Sequence, residues 1–176
     1  MKIIPLPPLE VLNDLLAYDA ETGSFTWKKF RGCTAKAKSP AGNLSVSGYI
    51  GLCINGKQYL AHRIAYKMVY GRDPDGILDH IDRDMTNNRI SNLRVATSKQ
   101  NQGNSKTPKH NSSGIKGVSW KAKDNRWAAQ ISHNKKKIWL GAYQTKEEAG
   151  AAYQKAATEY FGDFAKTGEG CDVATY

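Results

Sequence analysis

Apolar positions change their spacing several times along the 176-residue chain, and each change marks an element. In residues 8–18, PLEVLNDLLAY, Leu9, Leu12, Leu15 and Leu16 recur at helical spacing, which predicts a short amphipathic helix. The turn AETG, a strand GSFTW and a loop rich in Lys, Gly and Ser from Lys28 to Gly42 follow. Residues 48–61, GYIGLCINGKQYLA, predict a hairpin, because Asn55-Gly56 stands between two strand-like runs and suits a type I′ turn. HRIAYKMVYG then places Ile64, Ala65, Met68 and Val69 on one helical face, with Gly71 as the stop. GILDHID starts apolar and predicts a strand, RDMTNNRISN a loop, and NLRVAT a second strand. Asp and Asn suit that loop because they hydrogen-bond their own backbone and tolerate left-handed geometry. SKQNQGN can start a helix capped by Ser98.

Residues 103–114, GNSKTPKHNSSG, are small, polar and Pro-containing, the composition of a linker. A domain boundary is placed here. Beyond it, GVSWKA, RWAAQIS and KKIWLGAY predict three short strands rich in Trp, Val and Ile. Thr145 and Glu148 form a capping box. Ala149, Ala152, Tyr153, Ala156, Ala157, Tyr160 and Phe161 follow at a spacing of three or four, and Gly162 ends the helix. Three antiparallel strands packed on one helix make a small module, and the chain as a whole is α+β. The segments are a helix/strand region at 1–46, a core at 47–104, a linker at 105–113, the second module at 114–165 and a tail at 166–176.

Composition narrows the function. The length permits one ordinary domain or two small ones, and 40% hydrophobic residues are enough for packed cores. No apolar run approaches the roughly 20 residues of a membrane span. The start, MKIIPLPPLE, is too short an apolar region for a secretory signal, so a soluble intracellular protein is expected. Cys33, Cys53 and Cys171 lie far apart with no CxxC, which argues against structural zinc or a disulfide framework and for free thiols. The formal charge is +10 and the pI about 9.5, so the natural partner is a polyanion. Between Arg94 and Lys137 eleven Lys and Arg face a single acid, Asp124.

Candidate chemistry concentrates in residues 78–93, LDHIDRDMTNNRISNL. Asp79 can be a carboxylate ligand for Mg²⁺, which prefers hard oxygen donors. His80 can be a general base, and asparagine oxygens can complete a metal shell without adding charge. These are parts for phosphodiester hydrolysis: a base for water and a cation at the phosphate. By spacing alone a plain turn is the better explanation of the asparagines. Adjacent strand residues also face opposite sides, so Asp79 and His80 share a site only if the strand twists, ends or bends there.

The run AHRIAYKMVYG…ILDHIDRDMTNNRISNLRVATSKQNQGN, about residues 60–104, resembles the HNH endonuclease family in its phage and intron homing branch. The resemblance implies a ββα-metal nuclease domain. It makes His80 the general base and Asp79 a metal ligand. It makes Asn92 the residue that orients the base and pins the loop, and Asn101 the second metal ligand on the following helix. Many HNH proteins have His at that last position. Asn here resembles the H-N-N branch and favours Mg²⁺ or Mn²⁺ over softer metals. Asn87, Asn88 and Arg89 are expected as loop architecture or phosphate contacts, His62 as a helix-start residue and Arg63 as a phosphate contact.

The run GIKGVSWKAKDNRWAAQISHNKKKIWLGAYQTKEEAGAAYQKAATEYFGDFA, about residues 114–165, resembles the AP2 DNA-binding domain through GVSW, RWAAQI, IWLGAY and EEAGAAY. The resemblance implies a sheet that enters the DNA major groove, which is wide enough for a twisted ribbon. The DNA-facing residues would be Lys116, Ser119, Lys121, Arg126, Gln130, Ser132, Lys137 and Trp139. Several are Arg in plant members, so Lys and Ser here imply softer, more phosphate-driven contact. Trp127, Tyr153, Ala156 and Tyr160 are expected in the core.

Together these readings predict a Mg²⁺-dependent endonuclease that nicks or cuts double-stranded DNA, has no structural zinc, and reads DNA with its second module. A monomer acting in the cytoplasm of a phage-infected bacterial host is expected. The competing readings are a DNA-binding regulator with a decayed nuclease domain and an RNA-directed protein, the latter disfavoured because A-form grooves suit such a sheet poorly.

Overall fold

The computed structural model describes residues 4–30, 36–105 and 111–165. Part of the expected 28–42 loop, Cys33, most of the expected linker, Cys171 and the tail lie outside the described residues. The chain divides into two compact units, Met1–Ala96 and Thr97–Tyr176.

In the first unit, α1 (Leu9–Leu15) is shorter than its apolar pattern suggests. Leu16 leaves the helix and opens β1 (Leu16–Tyr18), which pairs antiparallel with β2 (Phe25–Trp27). A leucine satisfies either period, and pairing with Trp27 decides the matter. β3 (Asn43–Leu44), β4 (Ile50–Ile54) and β5 (Lys57–Leu60) form a three-stranded antiparallel sheet. Asn55 and Gly56 make the β4–β5 turn with φ of 49° and 75°, the left-handed values a type I′ turn requires.

α2 (Ala61–Tyr70) ends at Gly71, whose φ of 72° closes the helix. Its buried face is Ala61, His62, Ile64, Ala65 and Tyr66; Val69, expected on that face, is exposed. Ile64 and Ala65 join Leu12, Leu16, Leu52 and Ile54 in one core. Truncating any of its large members to Ala would cost about 2–5 kcal/mol. β6 (Ile77–His80) and β7 (Leu93–Ala96) pair antiparallel, and a single 3-10 turn at Ile90–Asn92 leads into β7.

The second unit begins with α3 (Ser98–Gly103). Its cap is Thr97 rather than Ser98: Thr97 Oγ1 accepts from Gln100 N at 3.3 Å, and Thr97 N donates to Gln100 Oε1 at 2.9 Å. β8 (Val118–Lys121), β9 (Arg126–His133) and β10 (Lys136–Tyr143) form an antiparallel sheet with β9 central. α4 (Lys146–Phe161) starts with the Thr145–Glu148 capping box and lays Ala149, Tyr153, Ala156, Ala157 and Phe161 over Val118, Ala129 and Ile131. Small alanines bring helix and sheet close. Gly117 sits so near Tyr153 that a Cβ there would lie 2.2 Å from its ring. No helix among the described residues is long and apolar enough to cross a membrane.

Candidate functional site

β6 ends at His80, and the chain turns at once: Ile81 N donates to Asn92 O at 2.9 Å and Arg83 N to His80 O at 3.0 Å. Asp79 pairs in register with Arg94, and His80 with Leu93. The adjacent side chains therefore have separate surroundings. Asp79 is buried, and Arg94 on β7 holds it: Nε donates to Oδ2 at 3.0 Å, and Nη2 lies 2.9 Å from the same oxygen. A buried carboxylate costs free energy unless it is paired, and the guanidinium supplies the pair.

His80 is 4% exposed. Its Nε2 lies 3.3 Å from Asn88 Oδ1. His62 meets its ring edge-on, centroids 5.0 Å apart, and Tyr49 lies 6.0 Å away. His62 is 5% exposed, and its Nδ1 has no hydrogen-bond partner among the described residues. Burial, and secondarily the His80 and Arg63 charges, push its pKa down to about 3, so it is a neutral imidazole.

Asparagines and aspartates knit the 81–92 loop. Asn92 Oδ1 accepts from Asp82 N at 3.1 Å, and its Nδ2 donates to Asp82 Oδ1 and to Asn87 O, both at 2.9 Å. Asn87 Nδ2 donates to Asp82 Oδ2 at 2.6 Å. Burial opposes ionisation of Asp82, but hydrogen bonds from Asp84 N, Asn87 and Asn92 outweigh it, and its pKa falls below the usual value. Asn92 thus ties the loop, while Asn88 is the loop asparagine whose side chain lies 3.3 Å from His80 Nε2.

The N-terminal hairpin, which the sequence left without chemistry, braces this loop. Tyr18 Oη donates to Asn88 O at 2.7 Å, and Ile90 N to Ala20 O at 3.2 Å. Burial, with the Asp19 charge, raises the Tyr18 pKa to about 12, so the hydroxyl stays a donor. Gly23 has φ of 74°, and a Cβ there would lie 2.4 Å from Arg89 N. Only glycine allows this approach. Tyr18, Gly23, Asn88 and Arg94 were not singled out for these roles from sequence, because each acts through a partner distant in the chain. The Asn-Asn pair of the loop was the one visible signal.

The other expected site residues are distributed as follows. Arg89 is exposed. Arg63 is half-buried and lines an apolar cavity of about 540 Å³ with Leu6, Leu44, Tyr59 and Leu60. Asn101 sits on α3 in the second unit, whereas Asp79, His80 and Asn92 belong to the first. Among the described residues no three His, Cys, Asp or Glu side chains converge. One carboxylate with amide oxygens is a hard-donor set of the kind Mg²⁺ accepts while keeping several waters.

In the second unit, Ser119, Lys121, Arg126, Gln130, Ser132, Lys137 and Trp139 share the sheet face opposite α4. The register pairs Lys121 with Arg126, Lys137 with Ser132 and Trp139 with Gln130. Trp120 lies on the other face against Trp127, ring centroids 5.1 Å apart. Lys116 departs from the expected role: its ammonium donates to Gly103 O at 2.8 Å, Ser105 O at 3.0 Å and Ser105 Oγ at 2.9 Å, beyond the end of α3. A lysine has three donors, and these bonds use them on the fold.

Comparison with known proteins also finds two parts, but it groups most of α3 with the first. The HNH endonuclease family model matches residues 59–102, and the AP2 domain model matches residues 113–163. The chain is 39% identical over 72 residues to Protein 3.8 of Escherichia phage T7, covering 40% of this chain and 60% of that protein. It is 39% identical over 124 residues to Uncharacterized HNH endonuclease L560 of Acanthamoeba polyphaga mimivirus, covering 69% of this chain and 63% of that one. Over 77 residues, 41% of this chain, it is 40% identical to Ethylene-responsive transcription factor ERF117 of Arabidopsis thaliana, 21% of which is covered. The chain thus spans about three fifths of the length of its two viral relatives. It carries an HNH endonuclease domain followed by an AP2 domain.

Proposed function

We propose that this protein is a metal-dependent DNA endonuclease of the homing type, which hydrolyses phosphodiester bonds in double-stranded DNA and holds its substrate with the AP2 domain. The observation that carries this reading is the buried His80 at the end of β6, its Nε2 engaged by Asn88 and its chain neighbour Asp79 clamped by Arg94. His80 takes a proton from a water whose oxygen attacks the scissile phosphorus. One bridging P–O bond breaks, and the leaving oxygen is protonated. A bound Mg²⁺ or Mn²⁺ would supply positive charge against the phosphate oxygens. Asp79 would be its carboxylate ligand, and the sequence assigns a second donor to Asn101. Arg94 pairs with Asp79 and fixes its carboxylate, and Asn92 holds the loop beside the base.

The exposed face bearing Lys121, Arg126 and Lys137 supplies counter-charge to phosphates, while Gln130 and Trp139 meet base edges. The viral relatives support action in an infected host cell, and one active site per chain supports a monomer that nicks. The test is conversion of supercoiled plasmid with and without Mg²⁺. Nicked circle should form only with metal and stop on adding EDTA. No conversion at any Mg²⁺ or Mn²⁺ concentration would remove the enzymatic reading.

A further inference from the structure

We propose that Lys116 is a positioning residue for Asn101: it ties the end of α3 to the sheet of the AP2 domain, so that domain sets the helix carrying the second metal donor. This rests on the reading of Asn101 as a donor to the metal. The matched HNH segment runs to residue 102, yet α3 (Ser98–Gly103) folds within the second unit. Isolated helices shorter than about 12–15 residues are marginal in water, so a six-residue helix takes its order from what it packs on. Gly103 is buried against the end of α4. A Cβ there would lie 2.8 Å from Phe161 Cβ and 3.0 Å from Phe164 O, so the backbone itself makes the contact.

Lys116 supplies the second hold. Its ammonium donates to Gly103 O at 2.8 Å, where the carbonyls of the last helical turn lack partners within the helix. It also donates to Ser105 O at 3.0 Å and Ser105 Oγ at 2.9 Å, just beyond. A cation at this end is favoured by the helix dipole. The backbone on either side of Lys116 is fixed in turn. Asn111 Nδ2 donates to Ile115 O at 2.7 Å, the buried Ser113 donates to Val118 O at 2.8 Å, and Gly117 O accepts from Gln130 N at 2.9 Å. Gln130 stands on β9, on the sheet face opposite α4. A short chain of bonds therefore runs from that sheet through Gly117 and Lys116 to α3. Within α3, Asn101 N donates to Thr97 O at 3.0 Å. The charge of Lys116, expected on DNA, is thus spent on the helix that bears Asn101.

The test uses the full-length protein and three variants. Lys116→Met keeps the aliphatic stem and removes the donors, and Lys116→Arg restores donors. Gly103→Ala pushes α3 from Phe161 on its other side, and it carries the test if Lys116→Met fails to fold. In protein free of metal and DNA, hydrogen exchange at the Asn101 and Asn104 amides should quicken about tenfold in Lys116→Met and Gly103→Ala. Lys116→Arg should bring it back toward the wild-type rate. In plasmid cleavage, the two loosened variants should need about tenfold more Mg²⁺ for half-maximal rate. Their rate at saturating Mg²⁺ and the salt dependence of DNA binding should stay near wild type, which a general loss of fold would not allow. Wild-type exchange at Asn101, or a wild-type Mg²⁺ requirement in both loosened variants, overturns the proposal. So does a fall in rate that saturating Mg²⁺ does not restore. Asn101→Ala with the wild-type Mg²⁺ requirement sinks the donor reading underneath it, so the two failures are separable.

Discussion

Replacing His62 by Phe should change how stability depends on pH. In the folded state the His62 pKa is pushed down to about 3, first by burial and then by the His80 and Arg63 charges. In the unfolded chain it is about 6.5. Between these values the unfolded chain binds a proton that the folded one refuses. Stability is therefore full above pH 6.5 and is lost as pH falls through the window. At about 1.4 kcal/mol per unit, moving from pH 7 to pH 4.5 removes about 2.5 kcal/mol through this residue alone. That is a large fraction of the 5–15 kcal/mol typical of a domain. His62→Phe keeps a ring against Tyr49 and His80 and gives up no hydrogen bond at Nδ1 among the described residues. Asp73, Asp82 and Asp84, whose pKa values are lowered, weaken both proteins equally in acid and cancel in the comparison. Urea unfolding followed by circular dichroism from pH 7 to pH 4.5 should show wild type losing stability faster than the variant by about 2.5 kcal/mol. Parallel curves would refute the reasoning.

The remaining predictions concern support, metal and DNA contact. Gly23→Ala forces a side chain at φ of 74° into the Arg89 backbone and should cost about 2 kcal/mol or more, read as a lowered urea midpoint. Asp79→Ala should raise the Mg²⁺ concentration needed for half-maximal plasmid cleavage or abolish cutting; an unchanged metal titration would remove Asp79 from the metal site. Lys121→Ala, Arg126→Ala and Lys137→Ala should each flatten the salt dependence of DNA binding by about one unit. Lys116→Ala should leave that slope unchanged and lower thermal stability, because its ammonium is bonded to Gly103 and Ser105.

Elements set by neighbours in sequence were legible before the structure. The Asn55-Gly56 turn, the Thr145–Glu148 box and the apolar face of α4 each depend on residues a few positions apart. Where a distant partner decides, the sequence reading slipped. Leu16 fits a helical stripe, but Trp27 draws it into a strand. Lys116 looks like one more basic residue until Gly103 and Ser105 are found to accept its protons. The Asp79-His80 pair was visible as chemistry, yet its clamps were not. Arg94 lies 15 residues from Asp79, and Tyr18 lies 70 from Asn88. Asn88 and Asn92 are alike in letters and differ only in what the folded loop sets before them.

The central claim is that His80 performs chemistry and does not merely bind. The most direct measurement compares wild type and His80→Ala on the same plasmid, with cleavage and DNA affinity measured side by side at saturating Mg²⁺. Loss of a general base should lower the cleavage rate about 10²–10⁴-fold and leave the dissociation constant nearly unchanged. Cleavage at the wild-type rate by His80→Ala would contradict the account.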